Sequence, residues 1–215
     1  MRKSLLGIAA SAAFVVCGAA SAQNVPEQFV VTGDAAVRLK EFNQINMATA
    51  RALVDSCIAF AEQNGRALSV YVIDQFGNHV AMQRMDGQGW INIRTAEMKA
   101  RTALQMRQPS HARMNQARED PFNEIYQITA HGLFPNSGGL PIIVNDQLIG
   151  AIGVGGAAPS PEFSDEICAH HALTEVIGPQ PPLLPVAPPR DPFTGERQWC
   201  RGGAGPDPAV GGTCD

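Results

Sequence analysis

The side chains in this 215-residue sequence able to ligate a metal or move a proton are few, and most lie far apart. His131 stands just ahead of Gly138-Gly139, where glycines let backbone approach a ligand closely. Lys99 shares a stripe with Thr95 and Thr102, at helical steps of four and three residues. Such a stripe reads either as the solvated side of a helix or as a place where Lys99 meets a carboxylate. Arg84 and Asp86 offer a bidentate anion fork or, more simply, a pair of their own. His170 and His171 are adjacent, so a helix turns them about 100° apart and they cannot serve one metal. His79 and His111 are weaker candidates, and Asp165 and Glu166 read as acidic groups complementing a helix N-terminus. No HExxH or CxxC occurs, which gives no signal for zinc. There is no nucleophile elbow or Ser-His-Asp order, and Gly153-Val154-Gly155-Gly156 lacks the helix start of a phosphate loop. Hydrolase and nucleotide-binding readings therefore rank low.

These residues must be held by a mixed α+β framework. Met47, Ala50, Val54, Cys57 and Ala61 recur at helical steps and predict a helix over 43–64, ended by Gly65. The runs 68–74 and 79–85 flank Gln75-Phe76-Gly77-Asn78 and predict a hairpin. A helix over 92–107 follows, stopped by Pro109, with Ile93, Ala96, Ala100 and Ala103 as its docking face. Residues 110–129 are polar with one short helix expected, His131 then falling in a loop. Strands at 142–144 and 147–154 and a helix over 160–177 complete the order. Helix, hairpin, helices, hairpin, helix predicts a mainly antiparallel sheet covered by helices.

The two ends read differently from this middle. Met1-Arg2-Lys3, an apolar run from Leu5 to Val16, and Ala20-Ser21-Ala22 form the three parts of a cleavable signal peptide over 1–22. Its removal leaves a domain over 23–178 and a Pro/Gly-rich tail over 179–215, with formal charge moving from −4 to about −6. The expected location is periplasmic or secreted. No basic cluster suggests nucleic acid, and no second apolar run reaches spanning length. In an exported chain the even set Cys57, Cys168, Cys200 and Cys214 favours disulfides. Cys200–Cys214, closing a Gly/Pro-rich loop, is the preferred pair. Cys57 and Cys168 read equally well as a second pair or as two buried thiols.

Three segments, in order, resemble the GlcG/HbpS-like family of small haem-binding proteins, which includes the C-terminal domain of PduO-type proteins. They are Val70-Tyr71-Val72-Ile73-Asp74 with Gly77 and Arg84-Met85-Asp86-Gly87; Met98-Lys99-Ala100-Arg101-Thr102-Ala103 with Pro109-Ser110; and Gly138-Gly139-Leu140-Pro141-Ile142 with Ile149-Gly150-Ala151-Ile152-Gly153-Val154. The resemblance spans about residues 43–177. It implies a profilin-like fold with a five-stranded antiparallel sheet, assembly into homo-oligomers, and haem or a related small molecule as ligand. Combined with the reading of individual residues, the candidate ligand site comprises Arg84, Asp86, Lys99, Thr102, Ser110, His131, Gly138 and Gly139, with His131, from its place before the glycines, as candidate axial donor to haem iron. Residues 112–136 are long for the family, Ser110 stands where relatives often carry Thr, and Gly155 where they often carry Ser. The rival reading is a cofactor-independent lyase or isomerase acting on a small carboxylate or aromatic compound. There His131, Lys99 and Arg84 would bind the anion and move the proton.

Overall fold

Asn46 opens the first helix: its side chain accepts from the Thr49 N–H at 2.9 Å, satisfying one of the free amides of the first turn. The computed structural model, which describes residues 43–185, builds nine elements from there. They are α1 (Met47–Gln63), β1 (Ser69–Asp74), β2 (His79–Arg84), α2 (Trp90–Met106), α3 (Ser110–Glu119), α4 (Pro121–His131), β3 (Gly139–Val144), β4 (Gln147–Gly155) and α5 (Asp165–Val176). The expected signal peptide over 1–22 and the expected Cys200–Cys214 pair lie outside the described residues.

The strands form one antiparallel sheet in the order β2-β1-β4-β3. Both hairpins close as the sequence predicts. Asp74 Oδ1 accepts from the N–H groups of Phe76 and Asn78 across the first turn. Asn145 and Asp146 both take positive φ in the two-residue turn between β3 and β4. Pro141 is tolerated because β3 is an edge strand. The sheet has four strands among the described residues, a correction to the five expected from the resemblance. Among the described residues before α1, Ile45 makes one backbone bond to Ile149 O, and Asn46 then turns the chain into the helix.

Helices cover both faces. On one, α1 and α5 pack Leu53, Val54, Ala169 and Leu173 onto Val70, Val72, Ile152 and Val154. Cys57 and Cys168 join these helices as a disulfide, which resolves the two alternatives left open for that pair. Phe60 stacks between Phe163 and His171, with centroids 5.3 and 4.1 Å away, and ties the same two helices. On the other face α2 docks through Ala96, Ala100 and Ala103, as its pattern predicts. It lies so close that a Cβ on Gly139 or Gly153 would collide with the carbonyls of Lys99 and Ala96. Gly153 and Gly155 of β4 follow from this contact rather than from phosphate binding, while Gly150 meets the Ile73 carbonyl of β1. Gly139→Ala is therefore expected to cost about 2–3 kcal/mol in urea unfolding; an unchanged midpoint would contradict this packing.

After α2 ends at Arg107, in the left-handed region with φ 53°, the polar stretch forms two helices rather than one. Asp120 ends α3 and caps α4, accepting from Phe122 N–H at 3.1 Å, with Pro121 in the first turn. His131 consequently sits in the last turn of α4 and not in a loop. Residues 179–185 have no regular structure but make backbone contacts to the domain: His170 Nε2–H donates to Pro181 O, and Asn115 Nδ2–H to Pro185 O.

Candidate functional site

Two carboxylates at the start of α5 organise the site. Ser164 caps the helix, its Oγ accepting from Ile167 N–H at 3.1 Å, and so fixes the direction in which Asp165 and Glu166 leave the first turn. Asp165 reaches α2. Its Oδ2 accepts from Lys99 Nζ at 2.7 Å, while Oδ1 accepts from Ala157 N–H at 2.9 Å. Lys99 also donates to Val154 O at 3.0 Å and is 4 % exposed. Glu166 reaches α3, where its Oε2 accepts from His111 Nδ1–H at 2.7 Å. Both members of this second pair are buried, and neither His111 Nε2 nor Glu166 Oε1 has a hydrogen-bond partner. The carboxylates thus do more than complement the helix dipole; they bind two different helices to α5.

A groove lies beside each pair. One, of about 440 Å³, has His111, Met114 and Arg118 of α3 along one wall. Across it stand Glu166, Ile167 and the leucines Leu183 and Leu184. The other, of about 380 Å³, borders Lys99, Asp165, Thr95 and Phe134. Asn136, Ser137, Pro159 and Ser164 border both, so the two grooves adjoin.

The segment beneath is fixed by residues singled out in the sequence. Ser110 Oγ accepts from Gly139 N–H at 2.9 Å and donates to Asn136 O at 2.5 Å. Thr102 Oγ1 donates to Met98 O and accepts from Phe134 N–H at 2.8 Å. Gly138 has φ +114°, and a Cβ there would lie 2.8 Å from the Asp165 Cβ. Lys99, Thr102, Ser110, Gly138 and Gly139 therefore converge. Their polar atoms chiefly hold this framework together. The stripe of Lys99 and Thr102 is buried beneath the 134–138 segment and α5, not solvated.

The other predicted residues lie elsewhere. Arg84 is exposed at the end of β2 and bonds the Gln88 carbonyl; Asp86 is exposed, and no Arg84–Asp86 ion pair forms. His131 is exposed and packs edge-on against Tyr126, with centroids 5.0 Å apart, lining a separate cavity. Burial, with Glu97 nearby, raises the Tyr71 phenol above its ordinary value, but Tyr71 borders neither groove. Among the described residues no three His, Cys, Asp or Glu side chains gather as a polydentate metal site. No helix among them is long and apolar enough to cross a membrane.

The buried His111–Glu166 pair is what the sequence reading missed. The two residues are 55 positions apart, on α3 and α5, and only the tertiary fold brings their side chains within hydrogen-bond distance. One local signal existed: Pro109 and Ser110 start a helix that puts His111 in its buried first turn.

Comparison with known proteins agrees with this architecture. GlcG of Escherichia coli K12 is 34 % identical over 96 residues, covering 44 % of this chain and 68 % of that protein. The crystal structure of HbpS superposes with a TM-score of 0.56 at 27 % identity, covering 68 % of this chain and 98 % of that one. A PduOC:haem complex shares the fold, with a TM-score of 0.51 at 21 % identity over 63 % of this chain and 94 % of that one. A family model described as haem degrading protein HbpS-like matches residues 45–174, and with that match over more than half its length the chain belongs to the HbpS-like family.

Proposed function

We propose that this chain is an exported haem-binding protein, concerned with haem or iron handling, that takes haem into the groove between α3 and α5. The observation that carries the proposal is the unpartnered Nε2 of His111, on a ring whose Nδ1–H is already committed to Glu166. A carboxylate behind a histidine fixes its tautomer and orientation and makes the distal nitrogen a stronger donor. Haem suits such a site, because the macrocycle supplies four nitrogens and the protein need add only one axial donor. Met114, Ile167, Leu183 and Leu184 give the walls apolar surface, and Arg118 brings a guanidinium suited to a propionate. His111, rather than His131, is the proposed axial donor: it is buried and oriented, whereas His131 is exposed on α4. Bound haem would supply redox and oxygen chemistry; Glu166 holds the imidazole, and the leucines exclude water.

Two further parts of the proposal have separate support. Export rests on the signal-peptide pattern of residues 1–22 and fits the Cys57–Cys168 disulfide, which needs an oxidising compartment to persist. Self-association is supported by Phe122, Ile125 and Tyr126, which stand exposed on α4. The lyase reading is the weaker one: Lys99 is already bonded to Asp165 and Val154, and Arg84 and His131 share no cavity with it. Titrating the full chain with hemin is expected to give a saturable Soret change with an endpoint near one haem per chain. A linear, non-saturating change would sink the reading.

A further inference from the structure

A second cavity, of about 360 Å³, opens between α3 and α4 and shares no lining residue with the two grooves. Its lining includes Met106, Arg113, Tyr126, Gln127, His131 and Leu133. The polar groups there are incompletely used. Gln127 is 3 % exposed, yet neither its amide nitrogen nor its amide oxygen has a partner. Arg113 donates from Nη1 to Gln116 Oε1 at 2.6 Å, but its Nε–H is buried without an acceptor. Buried donors and acceptors are almost always paired, because each one left unmade opposes folding. Three such atoms on two residues bordering one cavity point to a ligand that completes them.

The chemistry of the missing partner follows from those atoms. Arg113 Nε–H is a charged donor and suits a carboxylate. Gln127 presents a donor and an acceptor together, and a hydroxyl answers both. Tyr126, with His131 edge-on to it, and the side chains of Met106 and Leu133 supply aromatic and apolar surface for a ring. We propose that the α3–α4 cavity is a binding site for a small aromatic carboxylate bearing a ring hydroxyl. Apart from Gln105 and Met106 its lining falls within residues 112–136, the stretch that is long for the family, and the proposal does not depend on the haem reading.

The test uses the full chain and 4-hydroxybenzoate as probe, followed by calorimetry. Saturable binding is expected. Benzoate, lacking the hydroxyl, and phenol, lacking the carboxylate, should each bind at least about tenfold more weakly. Arg113→Met should reduce affinity for 4-hydroxybenzoate by at least about tenfold while leaving hemin binding as it is in the unaltered chain. Gln127→Leu keeps the volume and removes two unpartnered polar atoms, so it should raise the melting temperature while weakening 4-hydroxybenzoate binding. A rise in stability with a loss of binding is not expected of a residue that serves only the fold. No saturable binding of 4-hydroxybenzoate, binding unaltered in both variants, or a lower melting temperature in Gln127→Leu would each overturn the proposal.

Discussion

Removing the Cys57–Cys168 disulfide, by the paired Cys57→Ala and Cys168→Ala substitutions, is expected to lower the unfolding free energy by about 4–5 kcal/mol. The two cysteines are 111 residues apart, so the bond closes a loop containing β1 to β4 and α2 to α4. In the chain-entropy view a cross-link over so long a loop strongly restricts the unfolded ensemble. The effect should be mainly on stability, since both sulfurs are buried between α1 and α5, with Phe60, Phe163 and His171 packed around the same junction. It should also reach the groove. Cys168 lies within one helical turn of Asp165 and Glu166, so loosening α5 displaces both carboxylates from Lys99 and His111. Urea unfolding of the oxidised chain and of the double variant reads the first effect, and hemin affinity of the two reads the second. Equal midpoints would mean that the α1–α5 junction holds without the bond.

Asp165→Asn is expected to cost about 3–5 kcal/mol, because it leaves the Lys99 cation in place without its counter-charge. The Lys99 side chain is 5 % exposed and that of Asp165 12 %, so solvent screens the pair little. Val154 O still accepts from Nζ in the variant, but a carbonyl dipole does not replace a carboxylate. The double variant Lys99→Met with Asp165→Asn should recover most of the loss, since it removes the uncompensated buried cation while the amide oxygen introduced at position 165 can still accept from Ala157 N–H. The two single substitutions would then be strongly non-additive in a double-mutant cycle. Additive losses would show that the two groups act independently despite their 2.7 Å separation.

How far the sequence discloses this molecule depends on whether a feature is local. The α1 periodicity, both hairpins, the alanine face of α2 and the stop at Pro109 depend on near neighbours, and each is found where the pattern places it. Asp120-Pro121 is equally local, yet the expected single short helix proved to be two, because an Asp cap followed by proline starts a helix as well as ending one. The remaining differences are tertiary. Nothing within α2 distinguishes a solvated stripe of Thr95, Lys99 and Thr102 from a buried one; the outcome depends on the 134–138 segment and α5 arriving on top. Asp165 and Glu166 show the same limit. Their place in a first turn accounts for their charge, while their partners are 66 and 55 residues away. Lys99, Thr102, Ser110, Gly138 and Gly139, all within the segments that carry the resemblance, lie close together in the fold. The resemblance could not supply His111, which lies on the edge of the segment that is long for the family.

His111, oriented by Glu166, is the proposed donor to haem iron. The most direct measurement compares visible absorption spectra of the hemin-loaded full chain with those of His111→Ala and His131→Ala, prepared side by side. His131→Ala is expected to keep the spectrum of the unaltered chain, whereas His111→Ala is expected to lose its ligation bands and bind hemin at least about a hundredfold more weakly. An unchanged spectrum in His111→Ala, or a loss confined to His131→Ala, would contradict this assignment.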